Sequence, residues 1–514
     1  MNAPADVTVG SARSISRRLP TPVDLLALYA ELSDGGRRAD TLMIETTAGR
    51  NLIVDRAAIR IECRGGEVVL TALSVDGEPV LDIVERKLAV HVAERASDRL
   101  ILRYERSAAV DAEVRLRAPS PFDVLRTITA LAIDTPEEPM TICLAGVVGF
   151  DHVDFFEDLP ANAEDLTGFP DFIFWLAQSA VIAEPRMTPR LLCTSFNSGD
   201  PEQDRRSRNS AIDRLSDLAF RASDVRQVSA APGAAATVSV DQSDEDFAAA
   251  VLKLKEHVLA GDVYQIVASR TFSAHCPDPL SAFARVRALD RSPYMFFVSM
   301  ADSVLFGASP ETSVRVTRER GKAVLEVKPI AGTRPRGQDG DQDNRMEADL
   351  RLDEKEAAEH MMLVDLARND VARVSEPGTR HVDRLMTLEK YARVMHLVSS
   401  VKGVLAPRFD ALHALQACLN VGTLSGAPKL KATELLRRYE RTRRGAYGGA
   451  IGWLNGEGLM DTGVVIRSAL VRNGTAHVRA GAGIVHDSDP VAEADETRRK
   501  ASAVLTAIAG EQVR

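Results

Sequence analysis

Cysteine is scarce in this chain of 514 residues. There are five, at positions 63, 143, 193, 276 and 418, and no two form a C-x-x-C pair. An odd, scattered set argues against a disulfide frame or a zinc site, and it fits a reducing cytoplasm. Long apolar runs are also missing: nothing approaches the roughly 20 residues of a membrane span. The opening stretch MNAPADVTVGSARSISRRLP has no apolar core of the secretory kind. Positive charge is outweighed, with 64 Lys and Arg against 73 Asp and Glu and a net charge of −9. Such a balance gives no general affinity for nucleic acid or an anionic membrane. An anionic ligand has to be held by local positive groups.

What is present is a large apolar share, 45%, on a chain too long for one ordinary domain. Up to about residue 225, short strands alternate with helices. NLIVD (51–55), EVVLTAL (67–73) and MTICLAGVVGF (140–150) predict strands, DAEVRLRA (111–118) a weaker one, and Asp204 to Ala222 a helix. Residues 226–242 are rich in Ala, Ser, Pro and Gly and read as a linker between an N-terminal domain (1–225) and a second domain (243–514). A helix starts at Ser243 with Asp246 in a capping-box-like position; Phe247, Val251, Leu254 and Val258 share one face, and Gly261 ends it. Near the other end, DTGVVIRSALV (461–471) and TAHVRAGAGIV (475–485) predict a hairpin turning at Asn473-Gly474. The last helix opens with Asp489 as N-cap and Pro490 at N1, and closes at Gly510.

The segment DEKEAAEHMMLVDLA (353–367) carries the first chemical signal. On a helix, Leu352, Glu356, Glu359, Leu363 and Leu366 fall within about 80° of one another. Two glutamates then sit inside an apolar stripe, where an uncompensated carboxylate is costly. The bland alternative is that they face solvent or pair with Lys355 or Arg368. The C-terminal helix repeats the spacing with Glu493 and Glu496, beside a stripe of Ala494, Thr497, Ala501, Val504, Leu505 and Ile508. Two helices each offering two carboxylates suit a shared hard cation, and an oxygen-only donor set points to Mg²⁺.

Groups for an anion lie nearby in sequence. Arg467 shares a predicted strand face with Val465, Ala469 and Val471, where an arginine seeks a carboxylate, from a ligand or from the protein itself. Gly481-Ala482-Gly483 follows on the partner strand, and glycines there let a ligand approach the backbone. PIAGTRPRG (329–337), VGTLSGAPK (421–429) and GAYGGAIGW (445–453) also combine glycine with polar side chains. His396 lies in an apolar run, VMHLVSSV, where a lone histidine is usually core.

As a set these segments resemble the chorismate-utilising enzymes, and among them the large subunits (component I) of anthranilate synthases. The motifs are SPYMFF, FGASPE, PIAGTRPRG, DEKEAAEHMMLVDLARND, VMHLVS, GTLSGAPK, YGGAIG, VIRSAL, AGAGIV and EADETRRKA, which together span most of residues 245–510. FEDLP (156–160) adds a looser match in the N-terminal half. The resemblance implies an α+β fold with large antiparallel β-sheets flanked by helices and an N-terminal domain packed on the catalytic domain. It implies Mg²⁺ on Glu359 and Glu496, with Glu356 and Glu493 reaching it through water, and chorismate as substrate. It assigns Tyr447, Arg467 and the backbone of Gly481, Ala482 and Gly483 to substrate binding, with Gly332, Thr333 and Thr423 lining the site. Glu311 matches the acid that protonates the departing C4 hydroxyl, and His396 the histidine tied to pyruvate elimination. A glutamine amidotransferase subunit supplying ammonia is the implied partner.

Two positions separate branches of the family. Relatives that add water to chorismate have a lysine where this chain has Gln265. Those that use a lysine nucleophile at C2, as aminodeoxychorismate synthases do, have it where this chain has Ala331. Neutral residues at both imply amination at C2, giving 2-amino-2-deoxyisochorismate and then, with pyruvate lost, anthranilate. A dedicated 2-amino-2-deoxyisochorismate synthase of specialised metabolism, such as antibiotic biosynthesis, stays open as the alternative. The tryptophan feedback site of the family is altered here. Thr46 stands where relatives have serine, the stretch after it is short, and Asp290-Arg291 replaces Asn-Pro, although Pro293, Tyr294 and Met295 remain.

Overall fold

Alternation of apolar and polar side chains builds the longest strand, Asn51–Arg64, in which Ile59, Ile61 and Cys63 point inward. It pairs antiparallel with Phe172–Ala183, bulging between Val54 and Ile59, and also meets Thr41–Thr46 and Glu67–Ala72. The computed structural model describes residues 9–510, except 21, 163, 186, 229, 231–236, 290, 392 and 393. Asp290 and much of the predicted linker therefore lie outside the described residues.

Strands from the two ends of the chain pair with one another. Thr41–Thr46 lies against Tyr294–Ser299, and Cys143–Val148 against Ala450–Asn455. Both ladders are antiparallel, as is the long one between Gln265–His275 and Thr475–Ile484. Helices cover this sheet system, as the family resemblance implied. One buried cluster shows how far the packing mixes the sequence: Leu42, Ile44 and Trp175 share it with Phe296, Ile451 and Val465.

Local chemistry explains the helix ends. The Ser243 hydroxyl accepts from the backbone N–H of Asp246 and opens the helix Asp244–Leu259. Asp489 caps Pro490–Ala509 in the same way, and Gly510 closes it in the left-handed region at φ 72°. Asn473 and Gly474 both take positive φ, 51° and 75°, as the predicted hairpin turn requires.

Three local readings are corrected. DAEVRLRA is not a strand: Ala112–Arg117 is a short helix, because the Asp111 side chain caps it by accepting from the Val114 N–H. Leu352 does not belong to the acidic stripe. It ends the helix Gly340–Leu352 and is exposed, while Asp353 caps a new helix, Glu354–Ala372. Residues 461–471 do not form one strand either. Met460–Val464 and Ser468–Arg472 are separate, and Arg467 between them adopts φ 47°. Its carbonyl accepts from Ala308 N–H, and Val464 N–H donates to the Glu311 carbonyl. Arg467 is therefore placed by a backbone break and not by strand alternation.

Candidate active site

The helix Glu354–Ala372 is held at its far end by a buried ion pair, Lys429 Nζ to Asp370 Oδ2 at 2.7 Å. Its near end presents Glu356 and Glu359. The amide of Gln265, at the start of strand Gln265–His275, donates to Glu359 Oε1 at 2.7 Å. Gly483 makes this approach possible: a Cβ there would lie 2.7 Å from Gln265 Nε2 and 3.8 Å from Glu359 Oε1. Burial raises the Glu359 carboxyl above its ordinary range; the Gln265 hydrogen bond opposes this, and the charges of Glu356 and Glu496 push it further up. Burial also raises Glu493, with the Glu496 charge adding to it against a Ser488 hydrogen bond. The charge of Glu496 on the last helix thus reaches Glu359 on the first. Oxygen donors that repel one another suit a hard divalent cation.

Neither alternative partner, Lys355 nor Arg368, takes the first glutamate. Glu356 Oε1 instead meets Arg334 Nη1 at 3.1 Å, within a fork that also holds Asp349 and Asp353. Gly332, at φ 76°, lies beside Glu356, and its carbonyl sits 3.2 Å from His396 Nδ1. Thr333 Oγ1 is 2.9 Å from the same nitrogen. His396 is thus buried, but it is oriented by two neighbours from a segment the sequence had already singled out.

Glu311 follows the strand Ser303–Ser309 and is nearly fully buried. Thr423 Oγ1 donates to its Oε1 at 2.8 Å. Burial pushes the carboxyl up to about 7, against the Thr423 hydrogen bond and the Lys500 charge. Tyr447 is buried, and its hydroxyl would lie 3.1 Å from a Cβ on Gly481. Ala482 pairs with Ala268 in the ladder. The structure therefore brings Gln265, Glu359, Glu493, Glu496 and Gly483 together, and Glu311 with Thr423. It also groups Gly332, Thr333, His396 and Glu356.

Residues 89–506 match the family model described as chorismate binding enzyme. The chain belongs to the chorismate binding enzyme family. It is 45% identical over 473 residues to the pyocyanine-specific anthranilate synthase component 1 of Pseudomonas aeruginosa, covering 90% of this chain and 87% of that protein. It is 43% identical over 511 residues to anthranilate synthase component 1 of Vibrio cholerae, covering 95% of each. Among solved structures, anthranilate synthase component I from Streptococcus pneumoniae superposes with a TM-score of 0.66 at 27% identity, covering 90% of this chain and 93% of that one.

The candidate site of this chorismate-binding enzyme also contacts residues that sequence reasoning passed over. Lys500 Nζ bonds the Gly481 carbonyl at 3.0 Å and Glu496 Oε1 at 2.7 Å, and so ties the glycine strand to the acidic cluster. The signal was available, since Lys500 stands four residues after Glu496 on the same helical face. Behind Tyr447, the buried Glu440 holds Arg444 at 2.6 Å and Arg479 at 2.9 Å. The Arg444 guanidinium lies 5.7 Å from the Tyr447 ring centre. Arg334, within PIAGTRPRG, belongs with them through its pair with Glu356.

Thr46 and Tyr294 are register partners in the ladder that joins the two ends of the chain. The Thr46 hydroxyl accepts from Gly49 N–H at 3.0 Å, and the Pro293 carbonyl from Thr47 N–H at 3.2 Å. Tyr294 Oη donates to Asp461 Oδ1 at 2.6 Å, while Arg315 pairs with the other oxygen at 2.9 Å. A Cβ on Gly49 would stand 2.8 Å from that Asp461 oxygen. Met295 is buried in the core behind.

Proposed function

We propose that this enzyme aminates chorismate at C2 with ammonia to 2-amino-2-deoxyisochorismate and then eliminates pyruvate to give anthranilate. The observation that carries the reading is Gln265. A neutral amide engaged by Glu359 stands where a base for water would be needed, and Ala331 offers no nucleophile. Mg²⁺ bound by Glu359 and Glu496 would supply the positive charge that anchors the ring carboxylate of the substrate. Arg467 and the backbone from Gly481 to Gly483 would hold the enolpyruvyl side, beside Tyr447. Glu311, a carboxyl raised to about 7, would protonate the C4 hydroxyl as it leaves. His396, oriented by Thr333 and Gly332, is suited to proton transfer in the elimination. Incubation with chorismate, Mg²⁺ and ammonium, followed by identification of the product, tests this. Anthranilate supports the full sequence; accumulation of 2-amino-2-deoxyisochorismate selects the amination-only alternative, and isochorismate overturns both.

Ammonia would come from glutamine through a separate amidotransferase subunit. A glutaminase needs an accessible thiolate. All five cysteines here are buried, and burial pushes Cys143 and Cys193 up to about 12 and Cys276 to about 11. The purified chain is expected to turn over with ammonium and to show no rate above background with glutamine. Glutamine-dependent turnover by the single chain would refute the need for a partner.

Feedback by tryptophan is expected to be weak. The Thr46 hydroxyl is engaged in its own turn, and Tyr294 in the Asp461–Arg315 pair. The added methyl of threonine overpacks a tight pocket at a cost of about 1–3 kcal/mol, or roughly one to two orders of magnitude in affinity. Titration of tryptophan against initial rate checks this, and cooperative inhibition at micromolar concentration would show the pocket to be intact.

A further inference from the structure

The N-terminal half contains a second group of ligating atoms, remote in sequence from the glutamates. Cys63 is the last residue but one of the strand Asn51–Arg64, His152 lies in the short 3-10 segment Phe150–Phe155, and Asp171 immediately precedes the strand Phe172–Ala183. One sulfur, one imidazole nitrogen and one carboxylate oxygen all lie within 4.8 Å of one another, and all three residues are buried. We propose that Cys63, His152 and Asp171 bind one borderline transition-metal ion, of which Zn²⁺ is the type, with water as the fourth ligand, at a site distinct from the candidate active site.

The argument rests on His152. It is fully buried, and neither ring nitrogen has a hydrogen-bond partner among the described residues. Its ring is packed by Phe122 at 4.8 Å, Phe156 at 5.0 Å and Phe172 at 5.3 Å between centres. A leucine or phenylalanine would fill that nest at no polar cost. A neutral imidazole leaves a donor and an acceptor unsatisfied there, at about 1–3 kcal/mol for each. A buried unsatisfied group of this kind calls for an ion or water to complete it.

The company it keeps favours a metal. Sulfur, imidazole and carboxylate together make the mixed soft and hard donor set that zinc accepts, and Mg²⁺ does not. Asp171 is already fixed: Arg443 Nη2 meets Oδ1 at 2.7 Å, and Gly65 N–H donates to Oδ2. Cys63 Sγ points at the Gly65 carbonyl, 3.3 Å away. Tetrahedral zinc would hold such ligand atoms about 3.3–3.6 Å apart, so binding shortens their separations by up to roughly 1.5 Å. The thiol proton is released to solvent as the thiolate bonds the metal. The ion would clamp the end of one strand and the start of another to the segment whose Phe150 N–H donates to the Gly445 carbonyl, two residues before Tyr447.

Because the three residues are buried, loading should accompany folding. The test is to express the full chain in cobalt-supplemented medium and record its absorption, with Co²⁺ as the probe. A thiolate-to-cobalt charge-transfer band is expected from the wild type, with one cobalt retained per chain. Glutamate-bound cobalt gives no such band, which separates this site from the candidate active site. Cys63→Ser is expected to lose the band, and His152→Leu to lose both band and metal while keeping its circular dichroism. Absence of the band in the wild type, or its persistence in either variant, would overturn the proposal. Should one variant fail to fold, the other decides.

Discussion

Glu359→Gln and Glu496→Gln are expected to fold normally and to lose at least roughly 10²–10³ in kcat/KM, the scale of several kcal/mol that a bound cation contributes to catalysis. The electrostatics separate this loss from misfolding. Burial and the neighbouring charges of Glu356 and Glu496 hold the Glu359 carboxyl above its ordinary range. Neutralising it removes repulsion, so the metal-free variant should melt at the same temperature as the parent or higher. Raising Mg²⁺ should restore part of the rate in a variant that has lost one of two direct ligands. Steady-state kinetics across a Mg²⁺ titration, with melting temperatures alongside, give both readings. Near-normal activity at ordinary Mg²⁺ in either variant would end the two-helix metal site.

Glu311→Gln should cost about 10²–10⁴ in turnover, the usual range for a general acid. Its pH dependence follows from the environment. Burial pushes the carboxyl up to about 7, so it is protonated below that pH and becomes ionised above it. Acid catalysis therefore falls as pH rises through about 7. Free ammonia rises with pH in the opposite sense, and rates have to be compared at fixed free ammonia. Thr423→Val provides the sharper check. The Thr423 hydroxyl donates to Glu311 and holds the carboxyl down, so its removal should move the basic limb to higher pH. A limb that stays in place would take Glu311 out of the proton transfer.

The acidic pairs were readable because two residues three apart on a helix must share a face, whatever the rest of the fold does. Glu359 and Glu496 needed no knowledge of the sheet. Arg467 was readable as important but not as placed. Nothing in VVIRSALV disfavours a continuous strand, and the break comes from backbone hydrogen bonds to Glu311 and Ala308, more than 150 residues earlier. The short helix after Asp111 misled for a related reason. Val114 and Leu116 alternate like a strand, yet one side-chain cap decides the conformation. Cys63, His152 and Asp171 carry no signal of spacing at all; the strand pairing of Cys63 with Phe172 and the hydrogen bond from Asp171 N–H to the Cys63 carbonyl bring two of them together.

That same interleaving has a consequence for how the molecule is made. Val148 pairs with Phe172 on one side and with Ala450 on the other. On a ribosome moving at 5–20 residues per second, Cys143–Val148 waits about 15–60 s for that strand to be translated. During that time the strand's second edge presents unpaired N–H and C=O groups to solvent. A chain that ends between residues 148 and 450 is therefore expected to expose this open edge and to aggregate more readily than the full chain.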